Sequence, residues 1–252
     1  MLAAGDDARL IAGGQTLVPL MAMRLARPGR LVDIARIAEL AFVRAEPDAV
    51  VVGATAKQCV LEHDPLIRAQ VPLLAKVMPF VGHAPIRARG TIGGSLANAD
   101  PAAEIALAAV MLDATIVYRD GDEDLEIRAS DFLTGPMMTV LSPSSCLTCI
   151  RFPIWRETRI GVGFHEVSAR RSDFAFASAG AQIALDENGA CRRLSLGVGA
   201  VAGVPLRLDT LARTLEGREG HAFEGGAAEQ SNLREAVAAA PRSPSDEGIR
   251  RA

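Results

Sequence analysis

Aromatic side chains are scarce in this sequence, with one Trp, one Tyr and eight Phe among 252 residues. Base stacking on single-stranded nucleic acid needs aromatic platforms, so their scarcity argues against that partner. A formal net charge of −3, with both signs interspersed, offers no pull on a polyanion either. No apolar run reaches the length of a bilayer span, and Met1-Leu2-Ala3-Ala4-Gly5-Asp6-Asp7 lacks the basic-then-apolar order of a signal peptide. These absences predict a soluble cytoplasmic protein. The cysteines (Cys59, Cys146, Cys149, Cys191) show no zinc-ribbon or ferredoxin spacing. Cys146-Leu147-Thr148-Cys149 has the form CxxC but alternates like a strand, where residues three apart point to opposite faces and suit neither a metal nor a redox pair. Ser/His/Asp, Cys/His and paired-carboxylate patterns are also missing, so no side chain is expected to act as nucleophile or general base.

What is present is a large apolar fraction, 49%, and a length sufficient for two domains. Two glycine pairs stand out: Ala12-Gly13-Gly14-Gln15-Thr16 and Thr91-Ile92-Gly93-Gly94-Ser95. Each lies where a strand-like run gives way to a segment able to start a helix. Without Cβ atoms, consecutive backbone N–H groups can converge on an anion, and the neighbouring hydroxyls of Thr16, Thr91 and Ser95 add donors. Two such cradles facing each other would hold a pyrophosphate without lysine. A dinucleotide held in that way is a redox cofactor more readily than a triphosphate to be cleaved.

Along the chain, residues 8–12 read as a strand entering the first turn, and Thr16 as the cap of a helix running to Leu25. Strands are expected at 30–34 and 49–53, then a helix capped by Thr55 and running towards His63, and another from Pro72. Residues 82–90 read as irregular, with Arg87 and Arg89 either steadying the second loop or facing a partner. Asp100 and Pro101 read as N-cap and first residue of a helix reaching Met111, followed by a strand at 114–118. Beyond residue 150 the rhythm becomes antiparallel: strands at 161–168, 179–185 and 191–199, with a hairpin signal at Asp186-Glu187-Asn188-Gly189. Helical patterns follow from about Pro205 and over 227–240. The whole is an α+β architecture of two modules, divided near 154–158.

With these segments laid out, the chain resembles the FAD-binding (medium) subunits of the molybdenum hydroxylase family, of the carbon monoxide dehydrogenase and xanthine dehydrogenase type. The matching segments are AGGQTLVPLMAMRLARPGRLVDI (12–34), IRARGTIGGSLANADPAAEIALAAV (86–110), DFLTGPMMTVLSPSSCLTCIRFP (131–153), FHEVSARRSDFAFASAGAQIAL (164–185) and GVGAVAGVPLR (197–207). A lone Gly-Gly, such as Gly225-Gly226, carries little; five segments in the family's order carry much more. Within the second loop Ala88 stands for a common Asn and Asn98 for a common His. Family members also carry a first strand and helix ahead of the segment matching Ala8–Leu10, and a final helix beyond Pro244-Ser245-Asp246. Without them an edge of the first sheet is expected to be uncovered and FAD retention weakened.

The resemblance implies a VAO/PCMH-type FAD-binding domain over residues 1–155. A small carbon-monoxide-dehydrogenase-flavoprotein-like domain, a three-stranded antiparallel sheet plus helices, is implied over 156–252. It implies that Ala12, Gly13, Gly14, Gln15 and Thr16, with Thr91, Ile92, Gly93, Gly94 and Ser95, wrap the pyrophosphate of FAD. Glu104 matches an acid at the ribose region, although first-turn dipole stabilisation would equally explain it. Leu147 and His165 match positions lining the flavin; an ordinary half-exposed strand histidine is the other reading of His165. His83 reads as a loop-ordering residue, and Asp33, Arg24 and Arg27 as scaffold. Neither glycine loop holds a His or Cys, so FAD is expected to be non-covalent.

The implied role is electron transfer. Electrons from a large molybdopterin subunit would pass through [2Fe-2S] clusters of a small subunit to FAD, then to NAD, a quinone or another carrier. The assembly would be a dimer of heterotrimers, with molybdopterin and clusters only in the partner subunits. A self-sufficient FAD oxidase is the first rival, although its fold would ask for a larger substrate cap. A non-catalytic assembly subunit, or a copy that no longer holds FAD, is the second.

Overall fold

The computed structural model describes residues 7–218. The chain opens with β1 (Ala8–Ile11), α1 (Leu17–Ala22) and β2 (Arg30–Asp33). β1 and β2 form a separate parallel pair, with Ala8 opposite Arg30 and Ile11 opposite Asp33. β3 (Val43–Ala45) and β4 (Ala49–Gly53) follow, then α2 (Gln58–His63), α3 (Pro65–Gln70), α4 (Pro72–Val77), α5 (Ala84–Arg89), α6 (Ile92–Asn98) and α7 (Glu104–Met111). β5 (Thr115–Asp120), β6 (Glu123–Arg128), α8 (Ala129–Phe132), the short pair β7 (Leu133–Gly135) and β8 (Met138–Thr139), and β9 (Ser145–Pro153) complete the first part. Beyond residues 154–158 come β10 (Arg159–Ser168), β11 (Ala175–Leu185), β12 (Cys191–Gly199), β13 (Leu206–Arg207) and α9 (Asp209–Leu215).

Two antiparallel sheets organise this chain. The first has the order β3-β4-β9-β5-β6 and the second the order β10-β11-β12-β13. β4 is the unbroken run Ala-Val-Val-Val-Gly, and all five of its residues are buried. Such a run of β-branched residues fits a strand covered on both faces. α7 packs against the second sheet and against α4, α6 and α8, and Ile105 to Met111 are buried without exception. A helix apolar on every side belongs inside, and each fully buried Leu or Ile there contributes roughly 1.5–3 kcal/mol. Its fit against the second sheet depends on missing side chains. A Cβ on Gly197 would stand 2.5 Å from Met111 Cγ, and Gly180 and Gly199 likewise leave room for Met111 and Leu107. Ser195 ties the layers together by donating its hydroxyl proton to the Met111 carbonyl at 2.6 Å.

Several helix starts differ from the sequence reading. Asp64, not a residue the pattern singled out, caps α3 by accepting from Leu66 and Ile67 N–H at 2.8 and 3.0 Å, with Pro65 in the first turn. Thr55 caps nothing: it is buried, and α2 starts after Lys57. Residues 84–89, expected to be irregular, form α5. Asp100 and Pro101 make a turn, in which Asp100 Oδ1 accepts from Ala102 N–H at 2.9 Å, and α7 begins only at Glu104. Thr16 sits at the start of α1 but makes no capping bond, and α1 ends at Ala22, short of Leu25.

The second sheet carries a fourth strand where three were expected, because Leu206 and Arg207 pair with β12 before α9 starts at Asp209. The expected hairpin is present: Asp186 Oδ1 accepts from Asn188 and Ala190 N–H, both at 2.9 Å, and Gly189 takes φ +88°. β9 departs from simple alternation through a bulge that sets Val117 opposite Cys149 and Tyr118 opposite Leu147. Leu147 and Ile150 therefore both enter the core, and Cys146 and Cys149 share the other face instead of opposing ones. Three residues of strand still separate them by about 10 Å, beyond disulfide reach. Among the described residues no cluster of potential ligands could hold a metal. The helix expected over 227–240 lies outside the described residues.

Candidate functional site

The first glycine loop connects β1 to α1, and β2 holds its start in place: Ile34 N–H bonds the Ile11 carbonyl at 2.9 Å. Gly14 takes φ +69°, a left-handed conformation that a Cβ would strain. Among the described residues no acceptor takes the N–H groups of Ala12, Gly13, Gly14, Gln15 or Thr16. Gln15 instead folds back, its side-chain amide donating to the Gly13 carbonyl at 3.0 Å. A run of unclaimed N–H groups bent by a left-handed residue is an anion-binding concavity.

The second loop is built differently. Gly93 and Gly94 lie within the first turn of α6, not in a turn ahead of it. Ile92 N–H bonds Ala56 O at 3.1 Å, Gly93 N–H bonds Ala54 O at 2.9 Å, and Ser95 N–H bonds Thr91 O at 3.1 Å. Thr91 Oγ1 accepts from Gly94 N–H at 3.1 Å, capping the helix. These four amides are thus engaged within the chain, and Thr91 is buried. What the loop presents outward is the exposed backbone of Gly94 and the half-buried Ser95.

The two loops meet. A Cβ on Gly13 would stand 2.5 Å from the Arg89 carbonyl oxygen and 2.8 Å from Gly90 Cα, so only glycine permits this approach. The Arg89–Gly90 corner is itself fixed from α2, since Lys57 Nζ donates to Arg89 O at 3.0 Å and Gln58 N–H to Gly90 O at 3.0 Å. Arg87 settles its open assignment. Its guanidinium bonds both Glu62 oxygens at 2.8 and 3.3 Å and the carbonyls of Val81 and Gly82 at 3.2 and 2.8 Å. Nearly closed off from solvent, Arg87 and Glu62 clamp α5 onto α2. Lys57, Gln58 and Glu62 had no signal in the sequence, because Lys57 and Gln58 act on backbone groups more than thirty positions away and Glu62 on the Arg87 guanidinium twenty-five positions away.

Glu104 opens α7 and is largely buried. Burial is the main reason its pKa rises from 4.5 to about 7; its own N–H lowers it, while Glu166 and Asp100 raise it further. No hydrogen bond or ion pair to another side chain stabilises its charged form among the described residues. Glu166, on β10, is likewise pushed up by burial, with His165 acting in the opposite direction, and its Oε2 is buried without a partner. Glu166 lines a small cleft of about 160 Å³ with Phe80, Ser168 and Arg171. His165 is exposed on β10, opposite Ala179, whereas Leu147 is buried in the core on β9. The structure thus joins the two glycine loops and joins Glu104 to Glu166, while Leu147 and His165 sit on different sheets.

Residues 1–155 match the model of a family described as the FAD binding domain in molybdopterin dehydrogenase. The 6-hydroxypseudooxynicotine dehydrogenase complex subunit alpha of Paenarthrobacter nicotinovorans is 36% identical, covering 77% of this chain and 65% of that protein. This chain therefore spans just under two thirds of that relative's length. Caffeine dehydrogenase subunit beta of a Pseudomonas species (strain CBB1) is 32% identical over 84% of this chain and 72% of its own length. Among solved structures, a chain of carbon monoxide dehydrogenase from Hydrogenophaga pseudoflava superposes with a TM-score of 0.86 at 28% identity, covering 95% of this chain and 82% of that one.

Proposed function

Since this chain belongs to the family of FAD-binding domains of molybdopterin dehydrogenases, we propose that it is the FAD-carrying, electron-transferring subunit of a molybdenum hydroxylase, an oxidoreductase. Similarity to subunits of caffeine and 6-hydroxypseudooxynicotine dehydrogenases supports that reading. The observation that carries it is the row of N–H groups from Ala12 to Thr16, unclaimed among the described residues and closed against the Arg89–Gly90 corner. A concavity of donors with no acceptor fits a diphosphate.

The grip is unequal. The first loop supplies main-chain N–H groups. The second supplies the Ser95 hydroxyl and a close backbone approach at Gly94, while Thr91, Ile92 and Gly93 shape that turn by bonding within the chain. Glu104 accepts from ribose hydroxyls, for which it must give up the proton that its burial favours. Leu147 and His165 border the flavin, the first from the core and the second from the open face of β10. Bound FAD supplies redox chemistry that no side chain here provides. The chain's part is to position it and to present a docking face.

In this reading residues 1–155 form the FAD-binding domain and 156–252 the smaller one. Partner subunits carry molybdopterin and [2Fe-2S] clusters, in a dimer of heterotrimers that delivers electrons to NAD or a quinone in the cytoplasm. The test is flavin content. Gly13→Val and Gly14→Val should each lower the flavin-to-protein ratio at least about tenfold, one lost factor of roughly 1.4 kcal/mol in binding. Flavin absorbance at wild-type stoichiometry in both variants would refute the proposed grip.

A further inference from the structure

A cleft of about 510 Å³, lined by no residue of either glycine loop, lies between the corner where α3 meets α4 and residues 154–160, the segment joining the two sheets. Pro72, Ile154 and Ile160 form its apolar parts; Arg68, Gln70, Trp155, Arg156, Glu157 and Thr158 form its polar ones. Trp155 is only 5% exposed, and its indole Nε1 is buried without a hydrogen-bond partner among the described residues. Glu157 Oε2 in the same wall is buried and unpartnered too. A buried N–H donor and a buried carboxylate acceptor, each left unsatisfied in residues that line the cleft, cost on the order of 1–3 kcal/mol apiece. Arg193 lies over the Trp155 ring, 4.1 Å from its centroid, which fixes the indole plane.

The neighbouring cations do not answer these groups. Arg156 is held by the Pro47 carbonyl and Asp48, and Arg68 by the Glu62 carbonyl and the His63 ring. The missing partners are therefore an acceptor for the indole and a donor for the carboxylate. Gln70 and Thr158 are exposed and make no side-chain bond among the described residues, and each can both donate and accept. That combination suits an extended main chain: a carbonyl faces the indole, a basic side chain faces Glu157, and amides meet the rim. The volume and openness suit a few residues of polypeptide. We propose that this cleft docks an extended, Lys- or Arg-bearing segment of a partner subunit, anchored by Trp155 Nε1 and Glu157. The inference rests on the subunit reading above.

The experiment uses the complex reconstituted from this chain and its co-expressed partner subunits. Trp155→Phe keeps the ring and removes the donor; Glu157→Gln removes the charge. Each should weaken assembly roughly tenfold by titration, with flavin content unchanged, as expected for loss of a hydrogen bond to a buried or charged group. Because the sequence contains a single Trp, incorporated fluorotryptophan reports Trp155 in the wild type by one fluorine resonance. Partner binding should shift it, which covers the case of a variant that fails to fold. If wild-type subunits never associate, the subunit reading itself fails. If they associate while the resonance stays fixed and both folded variants assemble normally, the docking inference alone is overturned. A shift produced by free lysine without partner subunits would also overturn it, by making the cleft a small-molecule site.

Discussion

One carboxyl, that of Glu104, links acidity to folding. Its pKa of about 7 in the folded chain exceeds the ordinary 4.5 because it is buried and faces Glu166 and Asp100. As pH rises through 4.5, the unfolded chain loses this proton first, so stability falls until the folded group also ionises near 7. The full difference is on the order of 3 kcal/mol, an upper figure for a group with some solvent contact. Urea midpoints measured across that range should fall with pH in the wild type and fall less in Glu104→Gln. If ribose hydroxyls meet the ionised group, flavin affinity should rise over the same interval, and calorimetry should find proton release on binding. The sequence pattern starts α7 at Asp100 and Pro101 rather than at Glu104, and a place in the first turn suggests an ordinary charged residue. The weakened acidity of Glu104 arises first from burial and then from Glu166, sixty-two positions later, neither of which a local pattern could reveal.

Elements here are held by contacts that bypass their neighbours in sequence. α5 is short, amphiphilic and without a buried residue, and its place depends on Arg87 spanning Glu62 and two carbonyls. Arg87→Ala would leave Glu62 without its partner in a nearly closed site, costing about 3–5 kcal/mol. Because α5 leads directly into Gly90 and α6, flavin retention should fall alongside the melting temperature. Asp64→Ala removes an ordinary cap at some distance from the site and should cost about 1 kcal/mol with no loss of flavin. Comparing the pair separates general weakening from damage to the loop. The longer strands such as β4, β10, β11 and β12, the hairpin at Asp186–Gly189 and the apolar helix ending at Met111 were legible because their signals are periodic and local, whereas β3, β6 and β13 were not. α5 was not, since two glycines and a proline mark its segment as irregular until a distant carboxylate is supplied. The bulge that turns Cys149 onto the same face as Cys146 was equally hidden, as it is imposed by pairing with β5.

At the scale of the molecule, the second sheet seats on α7 by way of glycines. Gly197→Val would force a branched side chain against Met111 and Leu107, and overpacking of this kind costs about 1–3 kcal/mol. Calorimetry should show a lower or split transition as the second sheet loses its seat. The β1–β2 pair stands apart from both sheets, and α1 between its strands buries none of its own residues. Val18, Met23, Leu25 and Leu31 are exposed in that region. Little apolar burial anchors it, so its opening should require less free energy than global unfolding. The Gly13 contact with Arg89–Gly90 is then where a guest bridging both turns would act as a rivet. Amide deuteration across 8–11 and 30–33 should run ahead of that at 49–53 in the empty protein, and slow by the ratio of ligand concentration to dissociation constant once flavin is loaded.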